Sequence, residues 1–162
     1  MKIKSADWKS DFEKGEKFEK KFYEYLKEKY PHKNINWLQQ KFEADFMIDD
    51  FKVELKSDFT EHSNFFMEHF SNIKTKRFGG PRQAQGYNAK HYCYWFVDEL
   101  NPHQWNCYSF KTDELVAWLD IHMNRYETRT KENKGYNTLG HIIPIAELSK
   151  QKFCKHIRIE VK

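Results

Sequence analysis

Phe42, Ala44, Phe46 and Ile48 alternate with Glu43, Asp45 and Met47; after Asp49 and Asp50, Phe51, Val53 and Leu55 alternate with Lys52, Glu54 and Lys56. A period of two marks strands with one buried face, so residues 42–57 read as a β-hairpin turning at the two acids. Antiparallel pairing about that turn sets Ile48 against Phe51, Met47 against Lys52, Phe46 against Val53 and hence Asp45 against Glu54. Upstream the period changes. Phe12, Phe18, Phe22, Tyr23, Leu26 and Tyr30 share one broad face of a helix predicted from Asp11 to Tyr30, which Pro31 stops.

Downstream, residues 64–68 alternate as a third strand, expected antiparallel to the second, with Asn64, Phe66 and Glu68 on one face and Phe65 and Met67 on the other. A turn at Phe78-Gly-Gly-Pro-Arg82 leads into a short helix from Arg82 to Ala89, and Tyr92–Val97 has the length and aromatic content of a buried strand. Thr112 reads as the N-cap of a packing helix from Asp113 to Met123. Residues 125–137 have no apolar period and are expected to form a mobile loop able to clasp a substrate. An edge strand at His141–Ile145, a short helix at 146–150 and a final strand at Ile157–Val161 complete the pattern. This is an α/β fold with a central mixed sheet flanked by helices. The 162 residues, without an internal repeat, are expected to form one domain spanning 1–162.

The hairpin also carries the candidate chemistry. Asp45, Glu54 and Lys56 share its polar face, and the two opposed carboxylates would have Cβ atoms roughly 5 Å apart, where like charges repel unless a cation lies between them. Mg²⁺ or Mn²⁺ suits such a pair, and Lys56 would flank the metal. The alternative is an ordinary solvated charged face. Glu19 points inward from the helix while Glu16 sits at the edge of the apolar face, and both are candidates for a third acid; a lysine-paired surface acid is the competing reading. Glu68 is either a further acid of the site or a strand-edge glutamate.

Residues 74–82 bring Lys74, Lys76, Arg77 and Arg82 together without an acid, beside two glycines and a helix N-terminus. That is a plausible phosphate cradle or else a solvated loop. Gln83 and Tyr87, one helical turn apart, could grip a nucleotide or form helix surface. The net charge is only +4, compatible with nucleic acid where the cations cluster. Three cysteines, an odd number without a close pair, argue for reduced thiols. Neither His103 with Cys107 nor Cys154 with His156 has zinc-knuckle spacing. The absence of a P-loop, nucleophile elbow or dinucleotide glycine motif leaves acyl transfer and nucleotide-cofactor chemistry without support. An N-terminus of Met-Lys-Ile-Lys-Ser and the lack of a membrane-length apolar run lead to the expectation of a cytoplasmic protein.

The Asp45…Glu54-x-Lys56 arrangement resembles the signature of the PD-(D/E)XK nuclease superfamily, with Ala44 where the family's proline often stands. The resemblance extends over roughly residues 12–100. Gly15-Glu-Lys-Phe-Glu19 is similar to the segment that supplies a helix acid, Asn64 and Glu68 to the third core strand of phage-type members, and Gln83 and Tyr87 to the Gln-x-x-x-Tyr element of the exonuclease branch. It implies a restriction-endonuclease-like core and Mg²⁺- or Mn²⁺-dependent phosphodiester hydrolysis. Asp45, Glu54, Glu19 and the Leu55 carbonyl are then metal ligands, Lys56 handles the attacking water, and Lys76, Arg77, Arg82, Gln83 and Tyr87 contact nucleic acid. DNA is the expected partner rather than RNA, in a phage-like processing or recombination enzyme acting in the host cytoplasm. The alternatives are a Holliday-junction-type resolvase, which requires a homodimer, and a non-catalytic nucleic-acid-binding module that keeps the fold.

Overall fold

Tyr92, Cys93, Tyr94 and Trp95 are buried in succession, so their strand is apolar on both faces and needs cover on both sides. The computed structural model, which describes residues 5–59, 63–98, 101 and 104–160 and the side chains from residue 13 onward, provides it. In chain order the elements are α1 (Ser5–Lys29), β1 (Ile35–Trp37), β2 (Phe46–Ile48), β3 (Phe51–Asp58), β4 (Asn64–Asn72), β5 (Arg77–Phe78), α2 (Gly80–Gly86), β6 (Ala89–Phe96), β7 (Gln104–Lys111), α3 (Thr112–His122), β8 (Thr128–Asn133), β9 (Tyr136–Pro144), α4 (Ile145–Ser149) and β10 (Cys154–Glu160). A six-stranded mixed sheet runs β1-β2-β3-β6-β7-β10, and a four-stranded antiparallel sheet runs β5-β4-β9-β8. Within the larger sheet β3 and β6 are parallel, joined by a crossover containing β4, β5 and α2. The architecture is α/β.

Helix α1 covers one face of the larger sheet. Phe18 meets Trp105 edge-on at 5.2 Å between ring centroids, and Phe22 lies 5.5 Å from both Phe46 and Trp95. The opposite face carries Tyr92, Tyr94 and Phe110 against Phe65 and Met67 of β4, with Leu115 and Leu148 from α3 and α4 closing this second core. Each fully buried side chain of this size contributes about 1.5–3 kcal/mol relative to exposure, which outweighs local propensity in fixing the layers. No helix among the described residues is long and apolar enough to cross a membrane.

The hairpin has the predicted register: Ile48 pairs with Phe51, Met47 with Lys52 and Phe46 with Val53. Asp49 takes the left-handed conformation (φ 53°) at the turn, which Asp tolerates. The first strand is nevertheless shorter than expected, beginning at Phe46 rather than at Phe42. Ala44 lies in the core opposite to that of Phe46, and Phe42 is 69% exposed rather than buried.

Other expectations need correction. Strand β4 does not pair with β3 but belongs to the second sheet, beside β9; β6, apolar on both faces, takes the central place next to β3 instead. Residues 125–137 are not a loop, because β8 and β9 form a hairpin with Asn133 opposite Tyr136. Every β8 residue is exposed, so neither face imposes an apolar period. Strand β9 is accordingly interior rather than an edge. Thr112 lies inside α3, buried with its hydroxyl unpartnered, and Lys111 takes the cap position while its N–H remains bonded to the Phe153 carbonyl. Helix α2 starts at Gly80 and gives way to β6 at Ala89. Helix α1 begins ahead of Asp11; the Phe12 side chain, His103 and Val161 lie outside what is described.

Candidate metal and catalytic site

Asp45 stands just outside the β2–β3 ladder, and its Oδ2 accepts the Leu55 N–H at 2.8 Å. This bond carries the carboxylate across to the neighbouring strand, next to Glu54. Glu19 arrives from α1, held by the Trp37 indole N–H, which donates to its Oε2 at 3.2 Å. Glu19 and Asp45 are also hydrogen-bonded to each other. Glu16 is exposed, so of the two helix acids the fold brings Glu19 to the hairpin. Three carboxyl groups from α1, the start of β2 and β3 thus converge.

Their electrostatics follow from crowding in a half-buried place. Burial pushes the Asp45 carboxyl up to about 7, with the Glu19 charge adding to it and the Leu55 N–H opposing. Burial also pushes Glu54 up to about 9, reinforced by the charges of Asp45 and Glu19. Glu19 is raised as well, mainly by burial, while Trp37 and Asp45 draw it down through hydrogen bonds. Glu54 Oε2 is buried without any hydrogen-bond partner. An orphaned carboxylate oxygen beside two other acids is a site that wants either protons or a cation.

These donors suit Mg²⁺ or Mn²⁺. Among the described residues no three His, Cys, Asp or Glu side chains are spaced as a ready-made metal cage, but Mg²⁺ keeps several waters and needs only one or two carboxylates.

Lys56, half-buried two residues beyond Glu54 on the same strand, acts on a second set of charges. Its ammonium draws Glu68 down against the upward push of burial and, after burial, pushes Lys131 down. Tyr92, buried between these groups, is raised well above its usual range by burial and then by Glu68, Glu54, Asp45 and Asp58. The polar face of β3 therefore continues from the three acids through Lys56 to Glu68. Gly79 makes room for that end: a Cβ there would collide with Glu68 Oε1.

The glycines at the start of α2 thus pack closely on Glu68. Nearby, Lys74, Lys76 and Arg77 are exposed, and the Arg77 guanidinium lies 5.0 Å from the Phe42 ring centroid. Arg82 is committed elsewhere, its side chain only 10% exposed and ion-paired with Asp120. Gln83 and Tyr87 share α2 and its C-cap, with the Tyr87 N–H bonded to the Gln83 carbonyl, and Tyr87 packs on the second core.

Three contributors escaped the sequence reading. Trp37 sits on a strand too short to show a period. Lys131 comes from β8 and lies 4.0 Å above the Phe66 ring. Tyr92 looked like a core aromatic and is one, with four carboxylates acting on it. The apolar side of the sheet holds Cys93 and Cys107 as buried free thiols, with Cys154 also free, and His156 hydrogen-bonds Asn106. No protein-family model, curated protein or solved structure matches the chain.

Proposed function

We propose that the chain is a metal-dependent nuclease of PD-(D/E)XK type on a restriction-endonuclease-like core, hydrolysing phosphodiester bonds with DNA, rather than RNA, as the substrate. The observation that carries this reading is the buried, unpartnered Glu54 Oε2 beside the hydrogen-bonded Asp45 and Glu19. Such an arrangement is costly unless it serves to collect a cation. Support also comes from the hairpin register, which places Lys56 one strand period beyond Glu54, and from α1, which delivers the third acid.

Asp45, Glu54 and Glu19 would hold Mg²⁺ or Mn²⁺, with the Leu55 carbonyl as the further ligand that the resemblance implies. When bound, the metal supplies Lewis-acid polarisation of the phosphate and acidifies water. The protein's own groups do the rest. Lys56 presents an ammonium from the same face, able to orient the attacking water and to neutralise charge developing on phosphate oxygens. Glu68 and Lys131 lie within reach of its charge. Leu55 N–H holds Asp45 in place.

The test is cleavage of linear, circular, single-stranded and branched DNA, and of RNA, in Mg²⁺ or Mn²⁺ by the purified chain and by Asp45→Asn, Glu54→Gln and Lys56→Ala. Activity that EDTA abolishes and each substitution removes is the expected result. Unimpaired turnover in a folded variant would take that residue out of the mechanism.

A further inference from the structure

Phe42 is 69% exposed and Phe78 51% exposed. Phe42 lies three residues before Asp45. Phe78 precedes Gly79, whose backbone packs on Glu68. Arg77 joins the two segments, its guanidinium 5.0 Å from the Phe42 ring. Phe78 in turn is stacked on Phe70 at 5.6 Å with an interplanar angle of 11° and has the Arg82 guanidinium 5.9 Å from its ring centroid, so the ring is held in one orientation while half of it stays exposed.

Phe42 is unusual in its backbone as well. It adopts φ 59°, a left-handed conformation that is an outlier for a bulky residue. A strained backbone that exposes a large aromatic ring gains nothing from core burial, and such strain concentrates at ligand contacts. The surrounding charge identifies the partner. Lys41, next to Phe42 in the chain, and Lys74, Lys76 and Arg77, shortly before Phe78, are all exposed, and Glu43, the acid beside Phe42, is ion-paired with Lys52 at 2.9 Å. Lysine is depleted from protein–protein interfaces, whereas cations interleaved with exposed aromatics are how proteins hold unpaired bases.

We infer that Phe42 and Phe78, linked by Arg77, form a stacking platform for unpaired bases, so that the nucleic acid delivered to the acid cluster is single-stranded or locally unpaired. A duplex offers only base edges and phosphates to these rings, because its base faces are already stacked. The inference rests on the nuclease reading of the adjacent acids and narrows its substrate class.

The experiment measures binding in EDTA, where cleavage is suppressed, using fluorescence anisotropy of a labelled oligo-dT and of a hairpin duplex of equal charge. The full chain is compared with Phe42→Ala, Phe78→Ala, Phe42→Leu and Phe42→Trp. Loss of one stacking face corresponds to roughly 5- to 150-fold in affinity, and that loss is expected for oligo-dT in both alanine variants while duplex binding stays within about twofold. An indole ring keeps a stacking face, so Phe42→Trp should bind as wild type, whereas Phe42→Leu should behave as the alanine variant. Equal affinity for the two ligands in wild type, or equal losses on both, would overturn the platform. Unchanged binding in all variants would overturn it too and assign the patch to a protein partner. If oligo-dT binding follows the expected pattern but no metal supports cleavage, the platform stands and the nuclease reading fails.

Discussion

The Trp37 indole N–H donates to Glu19 Oε2 at 3.2 Å, tying the carboxylate of α1 to the first strand of the sheet beside the hairpin acids. Glu19→Gln should therefore lower metal-dependent cleavage on the order of 100-fold or more, as loss of a ligand or transition-state charge does. The exposed Glu16 should tolerate the same change. Trp37→Phe keeps the ring but removes the donor, and a positioning contact of this kind is worth about 10-fold in activity or metal affinity. Its signature is a raised metal requirement with turnover recovering at saturating Mn²⁺. A greater loss in Glu16→Gln than in Glu19→Gln would move the third acid to the helix edge.

The same acids set a pH dependence. Asp45 and Glu54 titrate at about 7 and about 9 in the metal-free fold, against about 4 in an unfolded chain. The folded state therefore holds protons that the unfolded state has released. Their stabilising contribution is complete below about pH 4 and is lost as pH rises through the folded values. Without metal, the melting temperature should fall from pH 5 towards pH 9 by more in wild type than in Asp45→Asn. His69, His91 and His141 are lowered, chiefly by burial, and act in the opposite sense below about pH 6.5, so the diagnostic is the difference between the two proteins. Millimolar Mg²⁺ or Mn²⁺ should raise the wild-type melting temperature most at high pH, where it need not displace protons. Asp45→Asn should shrink that rise. If the substitution instead destabilises the metal-free protein and metal helps neither, Asp45 is structural.

What the sequence revealed of this site was whatever a local period encodes. The period-two pattern around Asp49 and Asp50 set the hairpin register to the residue, and the helical wheel separated Glu19 from Glu16. Partners fixed by the layers were hidden. Strand β4 has a strand's alternation, yet nothing local says that it joins a second sheet. Lys131 comes under the charge of Lys56 from β8, a strand polar throughout and held by its ladder to β9 instead of by an apolar face. Gly79 and Gly80 advertised a close approach, and the approach is real. It comes from Glu68 on β4, a neighbour that no local pattern around the glycines specifies.

That approach can be tested by a double-mutant cycle. A Cβ at Gly79 would collide with the end of the Glu68 side chain, whereas one at Gly80 would come within 2.8 Å of the Glu68 carbonyl oxygen on a backbone at φ 51°. Gly80→Ala should cost about 1–3 kcal/mol of stability, since strain and backbone contact cannot be relieved by a rotamer. Glu68→Ala should rescue Gly79→Ala and leave the cost of Gly80→Ala in place, a coupling that appears as non-additivity in the first pair only. Additive effects in both pairs, measured by denaturant unfolding, would mean that Glu68 does not rest on Gly79.

The basic residues divide by what they already contact. Arg82 is largely covered and paired with Asp120, with Met123 Sδ 3.6 Å from its Nη2, so Arg82→Ala should loosen the α2–α3 packing and lower the melting temperature. Asp120→Asn should reproduce part of that loss. Lys76 and Arg77 are exposed on the β4–β5 turn and on β5, and their removal should leave stability unchanged. Their effect belongs in the salt dependence of nucleic-acid binding, where each lost phosphate contact reduces the slope of log K against log salt by about 0.7 for single strands. Lys76→Ala and Arg77→Ala should flatten that slope, and Arg82→Ala should not once its binding is compared below its own melting transition. A slope that responds to Arg82 alone would show that nucleic acid breaks the Asp120 pair to reach it.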